Sequence, residues 1–253
     1  MKTKAQLLGM RLWLPMLILA AWWIGSYNST SVYFPSLQVI LETFVKDWLG
    51  SRFVTDLLPS VGKFLAGFFI AAISGIVLGL IIGMSPVLRS ALDPVINFLR
   101  SLPPPVLLPI GLLLFGIGAS MNIAIIAFGA VWPTLLNTID GVRGIDSQLK
   151  DVARSYRLTR TQRIRYLILP AASPQIMSGL RTTLQLAIIL IVVAEMVAAT
   201  RGIGFYVLDS QQTFAVPETW AGTIVLGLLG YFAALVFIAV ERRVLAWQQE
   251  PSK

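Results

Sequence analysis

The chain has 253 residues, of which 56% are hydrophobic and only 13% charged; its net charge is +8, and it contains neither cysteine nor histidine. A soluble domain of this length carries about a quarter charged residues, so the composition excludes an ordinary water-soluble globule and defines a polytopic membrane protein. The two absent residue types exclude a disulfide framework, thiolate chemistry, the usual zinc and haem ligations and a histidine general base.

In chain order, the first apolar run covers about 10–28 and follows Lys2, Lys4 and Arg11. It resembles a signal peptide, but it lacks a small-x-small cleavage site and ends in Trp22 and Trp23, which suit an interfacial anchor. It is therefore expected to remain as a first transmembrane helix. Segment 35–49 sets Leu37, Ile40, Leu41, Phe44, Val45 and Trp48 at helical spacing opposite Glu42, Lys46 and Asp47. That pattern predicts an amphipathic helix lying either on the membrane interface or on the protein itself. Further apolar runs at 61–84, 90–117, 120–139, 173–199 and 220–241 bring the predicted spans to six, most of them reaching the roughly twenty residues that cross a bilayer core. The second carries Gly75, Gly79 and Gly83, with Ala71 one turn earlier. This small-residue strip suits either intramolecular packing or a homodimer seam. The third is interrupted by Pro103, Pro104 and Pro105, which cannot continue a helix. At membrane depth such a break is tolerated only inside protein or along a cavity.

Six spans put both termini on one side. Fourteen basic residues fall there (Lys2, Lys4, Arg11, Arg89, Arg143, Lys150, Arg154, Arg157, Arg160, Arg163, Arg165, Arg242, Arg243 and Lys253), and four, Lys46, Arg52, Lys63 and Arg201, fall opposite. The positive-inside rule makes the first side cytoplasmic. Because these residues flank apolar runs rather than forming a patch on a soluble fold, the charge does not indicate nucleic-acid binding.

The polar interval 143–170 is the longest in the chain. Within it Leu149, Val152, Ala153 and Tyr156 fall on one helical face, Asp146 and Asp151 sit early in that helix, and Thr159 suits the N-cap of a second short helix ending before Pro170. The expected form is a helix–turn–helix across the membrane face, with Ala153 at the crest of an apolar ridge. Such a ridge either docks a soluble partner or rests on anionic lipid.

The stretch DVARSYR…LILP resembles the EAA loop of ABC-importer permeases, the binding-protein-dependent transport family. Asp151 and Ala153 match its acid and alanine, Val152 replaces the first alanine, and Leu167, Leu169 and Pro170 match its close. FPSLQVI, RSLPPPVLLPIGLLLFGIG, the GLR at Gly179–Arg181 and VAEMVAATRGIGF are similar to the nitrate/sulfonate/taurine branch. The resemblance implies an all-α type I ABC importer permease fold with six transmembrane helices, forming one domain over 1–253. It further implies a coupling helix at about 148–158 that docks on ABC ATPase subunits through Leu149, Asp151, Val152, Ala153, Tyr156, Arg157 and Leu158. A periplasmic or surface solute-binding protein and a second permease copy complete the implied assembly in the inner membrane. No Walker A pattern is present, so ATP and Mg are expected on the partner and no cofactor on this chain. The family's glycine is Arg157 here; a non-glycine residue at positive φ costs about 1 kcal/mol. Either the turn is made differently, or Arg157 touches the partner.

Glu195, the one deeply placed carboxylate, faces either a structural hydrogen-bonding role or a role in the gate or pathway. Arg100, Pro103, Pro104, Pro105, Gly202 and Gly204 are the other pathway or gate candidates. The expected cargo is a small anion such as a sulfonate, taurine or nitrate, with a nitrogenous heterocycle or vitamin precursor as the alternative. A stand-alone channel or secondary transporter is the rival from another class; it would require a filter ring or a relay of intramembrane carboxylates.

Overall fold

The computed structural model describes residues 4–27, 29 and 31–248, with side chains from Trp13 onward. Lys2 and Lys253, and the side chains of Lys4 and Arg11, lie outside this description. Among the described residues the fold is helical, without strands. The principal helices are α1 (Lys4–Ser26), α2 (Leu37–Trp48), α3 (Leu58–Met84), α4 (Pro86–Ser101), α5 (Leu108–Phe115), α6 (Ala119–Arg143), α7 (Ser147–Ser155), α8 (Arg160–Arg163), α9 (Leu169–Ala198), α10 (Ile203–Gln212) and α11 (Val216–Val244).

The core is a three-helix layer of α3, α6 and α9, centred on Phe64, Phe68, Ala71, Ile126, Ala130, Leu184, Ala187 and Ile191. Gly67, Gly75, Gly79 and Gly83 of α3 lie against Ile126, Thr134, Thr138 and Val142 of α6, each pair 59 positions apart. The constant offset means that the two helices run parallel. The glycines make this approach possible: a Cβ on Gly79 would stand 2.6 Å from the Thr138 Cβ and 2.9 Å from the Leu135 carbonyl oxygen. The small-residue strip is therefore used within the chain and does not form a homodimer seam. In contrast, α6 and α9 are antiparallel, since Gly141 meets Ala172 and Gln175 while Gly129 meets Leu190. Midway, the Thr134 and Thr183 hydroxyls share a hydrogen bond of 2.7 Å, and Thr183 also donates to the Ala130 carbonyl at 2.8 Å.

A parallel α3–α6 pair requires the chain to travel back between them, and α4 and α5 make that return. The third run, expected over 90–117 with a break at Pro103, Pro104 and Pro105, is a pair of helices bent through 85° at that break. The first arm, α4, carries Arg89, Asp93 and Arg100 and rests Leu88, Leu92 and Ile96 against Ile82, Leu135 and Ile139. The second arm is a 3-10 turn, Pro104–Leu107, followed by α5. At their usual rises these twelve residues reach roughly 20 Å, short of the roughly 30 Å bilayer core. Four described helices are long and apolar enough to cross a membrane, or five with the bent pair; a count of six also needs α1, whose described apolar part is Trp13–Ser26.

Two spans begin with the same device. A π turn at Phe53–Leu57 leads into Leu58-Pro59 of α3, and a π turn at Ile164–Ile168 leads into Leu169-Pro170 of α9. A proline in a regular helix clashes with the carbonyl four residues earlier, which belongs here to Thr55 or Tyr166, inside the wider π turn. Pro170 consequently does not end the second loop helix as the sequence pattern predicts: the helix runs unbroken from Arg160 to Ala198. Of the two placements open to α2, the structure takes packing on the protein. Ile40 and Trp48 are buried and α2 lies along α11, while Leu41 and Val45 face outward.

Gly79→Val should destabilise the purified protein by about 2 kcal/mol through overpacking, read as a lower midpoint in detergent thermal unfolding. Gly227→Ala, where a Cβ has no heavy atom within 4 Å, should leave the midpoint unchanged.

Candidate functional site

The sequence-predicted site residues fall at three places: a polar joint at one end of the bundle, a cavity at the α4–α5 bend, and the basic loop at the other end.

The polar joint is built around Glu195, near the last turn of α9 and 1% exposed. A bare carboxylate at this depth would be unsustainable. The Lys63 ammonium lies 2.5 Å from Glu195 Oε1, and the Ser60 hydroxyl donates to the same oxygen at 2.6 Å. Glu195 Oε2 accepts the Gly204 N–H at 3.0 Å. Asp56 accepts the Gly202 N–H at 2.9 Å, and Ser60 Oγ accepts that of Ile203 at 3.0 Å. Three backbone donors at the start of α10 are thus satisfied by side chains from α9, α3 and the π turn preceding α3, and the two carboxylates sit where the helix dipole favours negative charge. The glycines follow from this. Gly202 has φ +132°, and a Cβ there would overlap the Glu195 carboxylate; a Cβ on Gly204 would lie 2.5 Å from the Val192 carbonyl oxygen.

Arg52, Asp47 and Tyr206 brace the joint from outside. Arg52 reaches Asp56 at 3.5 Å and Asp47 at 3.7 Å, and its guanidinium lies 4.5 Å over the Tyr206 ring. The Tyr206 hydroxyl donates to Asp47 at 2.6 Å. Burial, then the hydrogen bond to Asp47, raises the Tyr206 phenol above its ordinary pKa. Glu195, Gly202 and Gly204 thus meet in one hydrogen-bonded joint. The sequence reading missed Asp56, Ser60 and Lys63. Their i, i+4, i+7 spacing at the head of an apolar span was the available signal, because a polar stripe there needs a polar mate.

Arg100, Pro104 and Pro105 come together elsewhere, around a cavity of about 390 Å³ at the bend, whose other walls include Gly129, Trp132 and Leu136. Arg100 is anchored by Nε donating to Asn97 Oδ1 at 2.9 Å. Pro103 does not line this cavity; it precedes the 3-10 turn with ψ 123°, and its carbonyl accepts the Val106 N–H at 2.9 Å. Arg181 pairs with Glu241 across α9 and α11.

In the basic loop, Asp146 caps α7 by accepting the Gln148 N–H at 2.9 Å. Leu158 N–H bonds back to the Ala153 carbonyl at 3.1 Å and Arg157 N–H to that of Arg154 at 2.9 Å, a Schellman closure with Arg157 left-handed at φ +50°. The turn is thus made with the glycine geometry, and Arg157 bears the strain. The expected ridge needs one correction. Leu149, Val152 and Tyr156 are 47%, 51% and 78% exposed, but Ala153 is 5% exposed and faces the body of the protein. Ala153 lies at the edge of the shared helical face and is turned away from the crest. Asp151 stays exposed and pairs with Arg154 at 3.2 Å. Thr159 and Gln162 form a capping box at the head of α8. Among the described residues no group of three or more acidic side chains could hold a metal.

Residues 75–246 match the family of binding-protein-dependent transport system inner membrane components. SsuC of Bacillus subtilis, named for aliphatic sulfonates transport, is 32% identical over 237 residues, covering 93% of this chain and 86% of that protein. The taurine transport system permease protein TauC of Escherichia coli is 30% identical over 240 residues, covering 92% and 87%. The nitrate import permease protein NrtB of Leptolyngbya laminosa is 35% identical over 191 residues, covering 76% and 68%. The fold matches a chain of the inward-facing MetNI methionine ABC transporter with TM-score 0.64 at 17% identity, covering 81% of this chain and 97% of that one. The chain belongs to the binding-protein-dependent transport family, as an integral inner-membrane permease with the type I ABC importer fold.

Two outcomes follow from the geometry. Glu195→Ala should cost about 3–5 kcal/mol by leaving Lys63 buried and unpaired. In a double-mutant cycle with Lys63→Met, measured by thermal or denaturant unfolding, the two losses should be clearly less than additive. Arg157→Gly should relieve about 1 kcal/mol of left-handed strain. Hydrogen exchange at the Leu158 amide, which the turn closes, should slow several-fold.

Proposed function

We propose that this permease imports a small anion of the sulfonate, taurine or nitrate class, driven by ATP hydrolysis on separate ATPase subunits. Two permease copies would enclose the pathway, and a solute-binding protein would deliver cargo to the face opposite the basic loop. The observation that carries the coupling role is the exposed ridge Leu149–Val152–Tyr156 on a short helix closed at its ends by the Asp146 cap and the Schellman turn. A ridge with apolar crests and flanking arginines fits a groove on a soluble partner, and its fixed termini allow force to pass into α6 and α9. The membership in a binding-protein-dependent family and the names of the relatives support the assembly and the cargo class. On this reading the whole chain acts as one permease domain, the basic loop 143–170 is its EAA-type coupling element, and both termini are cytoplasmic. That orientation rests on Arg143, Lys150, Arg154, Arg157, Arg160, Arg163, Arg165, Arg242 and Arg243 clustering at one end.

The test is reconstitution with the ATPase and binding protein encoded alongside, followed by ATP-dependent uptake of labelled taurine, alkylsulfonate and nitrate. Val152→Asp and Tyr156→Ala should each weaken ATPase co-purification by about tenfold or more, as for truncation of an interface hot spot, without altering detergent unfolding. Uptake of an anion without any ATPase would refute the coupling role.

A further inference from the structure

We infer that the cavity enclosed by the basic ends of α3, α4 and α6 and by the loop that follows is a binding site for the phosphate of an anionic phospholipid headgroup. The cavity has a volume of about 320 Å³. Four basic side chains from four different helices line it: Arg89 of α4, Arg143 of α6, Lys150 of α7 and Arg163 of α8. No carboxylate lines it. Among the described residues Arg89, Lys150 and Arg163 have no carboxylate within 4 Å, and Arg143 reaches only the exposed Asp140, at 3.4 Å. Of the acids near these residues in sequence, Asp146 caps α7, Asp151 pairs with Arg154, and Asp93, four residues after Arg89, is not within 4 Å of it.

Four basic residues around one concavity, with Arg89 and Lys150 partly buried, make it a site of positive potential that an anion among them would relieve. Guanidinium groups suit phosphate oxygens, which they bind as a fork. Two features select a lipid over free phosphate. The cavity lies at the last turns of α3 and α6, where two membrane-length helices end and headgroups begin. Its floor is apolar, made by the buried Val142, Ile145 and Ile168. Basic pockets between helices at that level are the kind that hold anionic headgroups. One phosphate there would tie α4, which leads to the Arg100 bend, to α7, which carries the exposed ridge. Anionic lipid would thereby stiffen the link between loop and bend.

The test uses the full chain in nanodiscs of phosphatidylglycerol or of phosphatidylcholine, read by thermal unfolding and by native mass spectrometry of retained lipid. The wild type should unfold at higher temperature in phosphatidylglycerol and retain that lipid. Arg89→Gln with Arg163→Gln should lose most of the increment and one retained lipid while keeping the phosphatidylcholine midpoint. Arg242→Gln with Arg243→Gln, two exposed basic positions outside the cavity, should keep both. Should the double variant not fold, Arg163→Gln alone, at an exposed position, should lose part of the increment. The proposal is overturned if the wild type shows no preference for phosphatidylglycerol, which would leave the cluster to an acidic segment of a protein partner. It is equally overturned if the Arg242/Arg243 control loses as much, or if millimolar inorganic phosphate in phosphatidylcholine discs reproduces the whole increment.

Discussion

A carboxylate buried at the end of a membrane helix must be neutralised, and the way Glu195 is neutralised organises one end of this protein. Its partners come from α3 through Lys63 and Ser60 and from the start of α10 through Gly204. One side chain therefore joins α9 to its neighbour α10 and to α3, more than a hundred positions earlier in the chain. Because Ser60 and Asp56 also hold the neighbouring N–H groups, the turn after α9 has little freedom to shift without exposing a charge or orphaning a backbone donor.

The second constraint is distance. Burying water-excluded apolar area does little to hold helices together within lipid, so contact must come from close packing. The glycines of α3 let its backbone lie against Thr134, Thr138 and Val142 of α6, and Gly141 and Gly179 do the same between α6 and α9. That parallel pairing forces the bent return through α4 and α5. The Arg100 cavity is thus a product of the same packing that makes the core, with the proline run supplying the bend. The two Leu-Pro entries, each preceded by a π turn, show a compatible solution to prolines at the head of long spans.

At the basic end the local geometry is costlier than it need be. Arg157 occupies a left-handed position that glycine would fill without strain, and the strain is held by the Asp146 cap, the Schellman bonds and the Thr159–Gln162 box on either side. In α7, Leu149, Val152 and Tyr156 are exposed while Ala153 is buried. Lys150 of α7, together with the last turns of α3 and α6, borders the cavity that Arg89, Arg143 and Arg163 also line.

Much of this was legible in the residues themselves. Hydropathy gave the long helices, since twenty apolar residues have few other stable places to be. The DVARSYR…LILP loop and the TRGIGF turn gave the family, and turn chemistry gave the Thr159 cap, whereas Asp146, expected within the first turn of its helix, is that helix's cap. The strip Gly75–Gly79–Gly83 announced a close neighbour but not which one, because small residues permit approach from any partner. Likewise the isolation of Glu195 in the sequence required a counter-charge without naming Lys63, which is 132 positions away. The direction in which Ala153 faces, the survival of the helix through Pro170 and the 85° bend at Pro103 depend on what each segment packs against. Periodicity fixes which residues share a helical face, but only the neighbouring helices decide which way that face points.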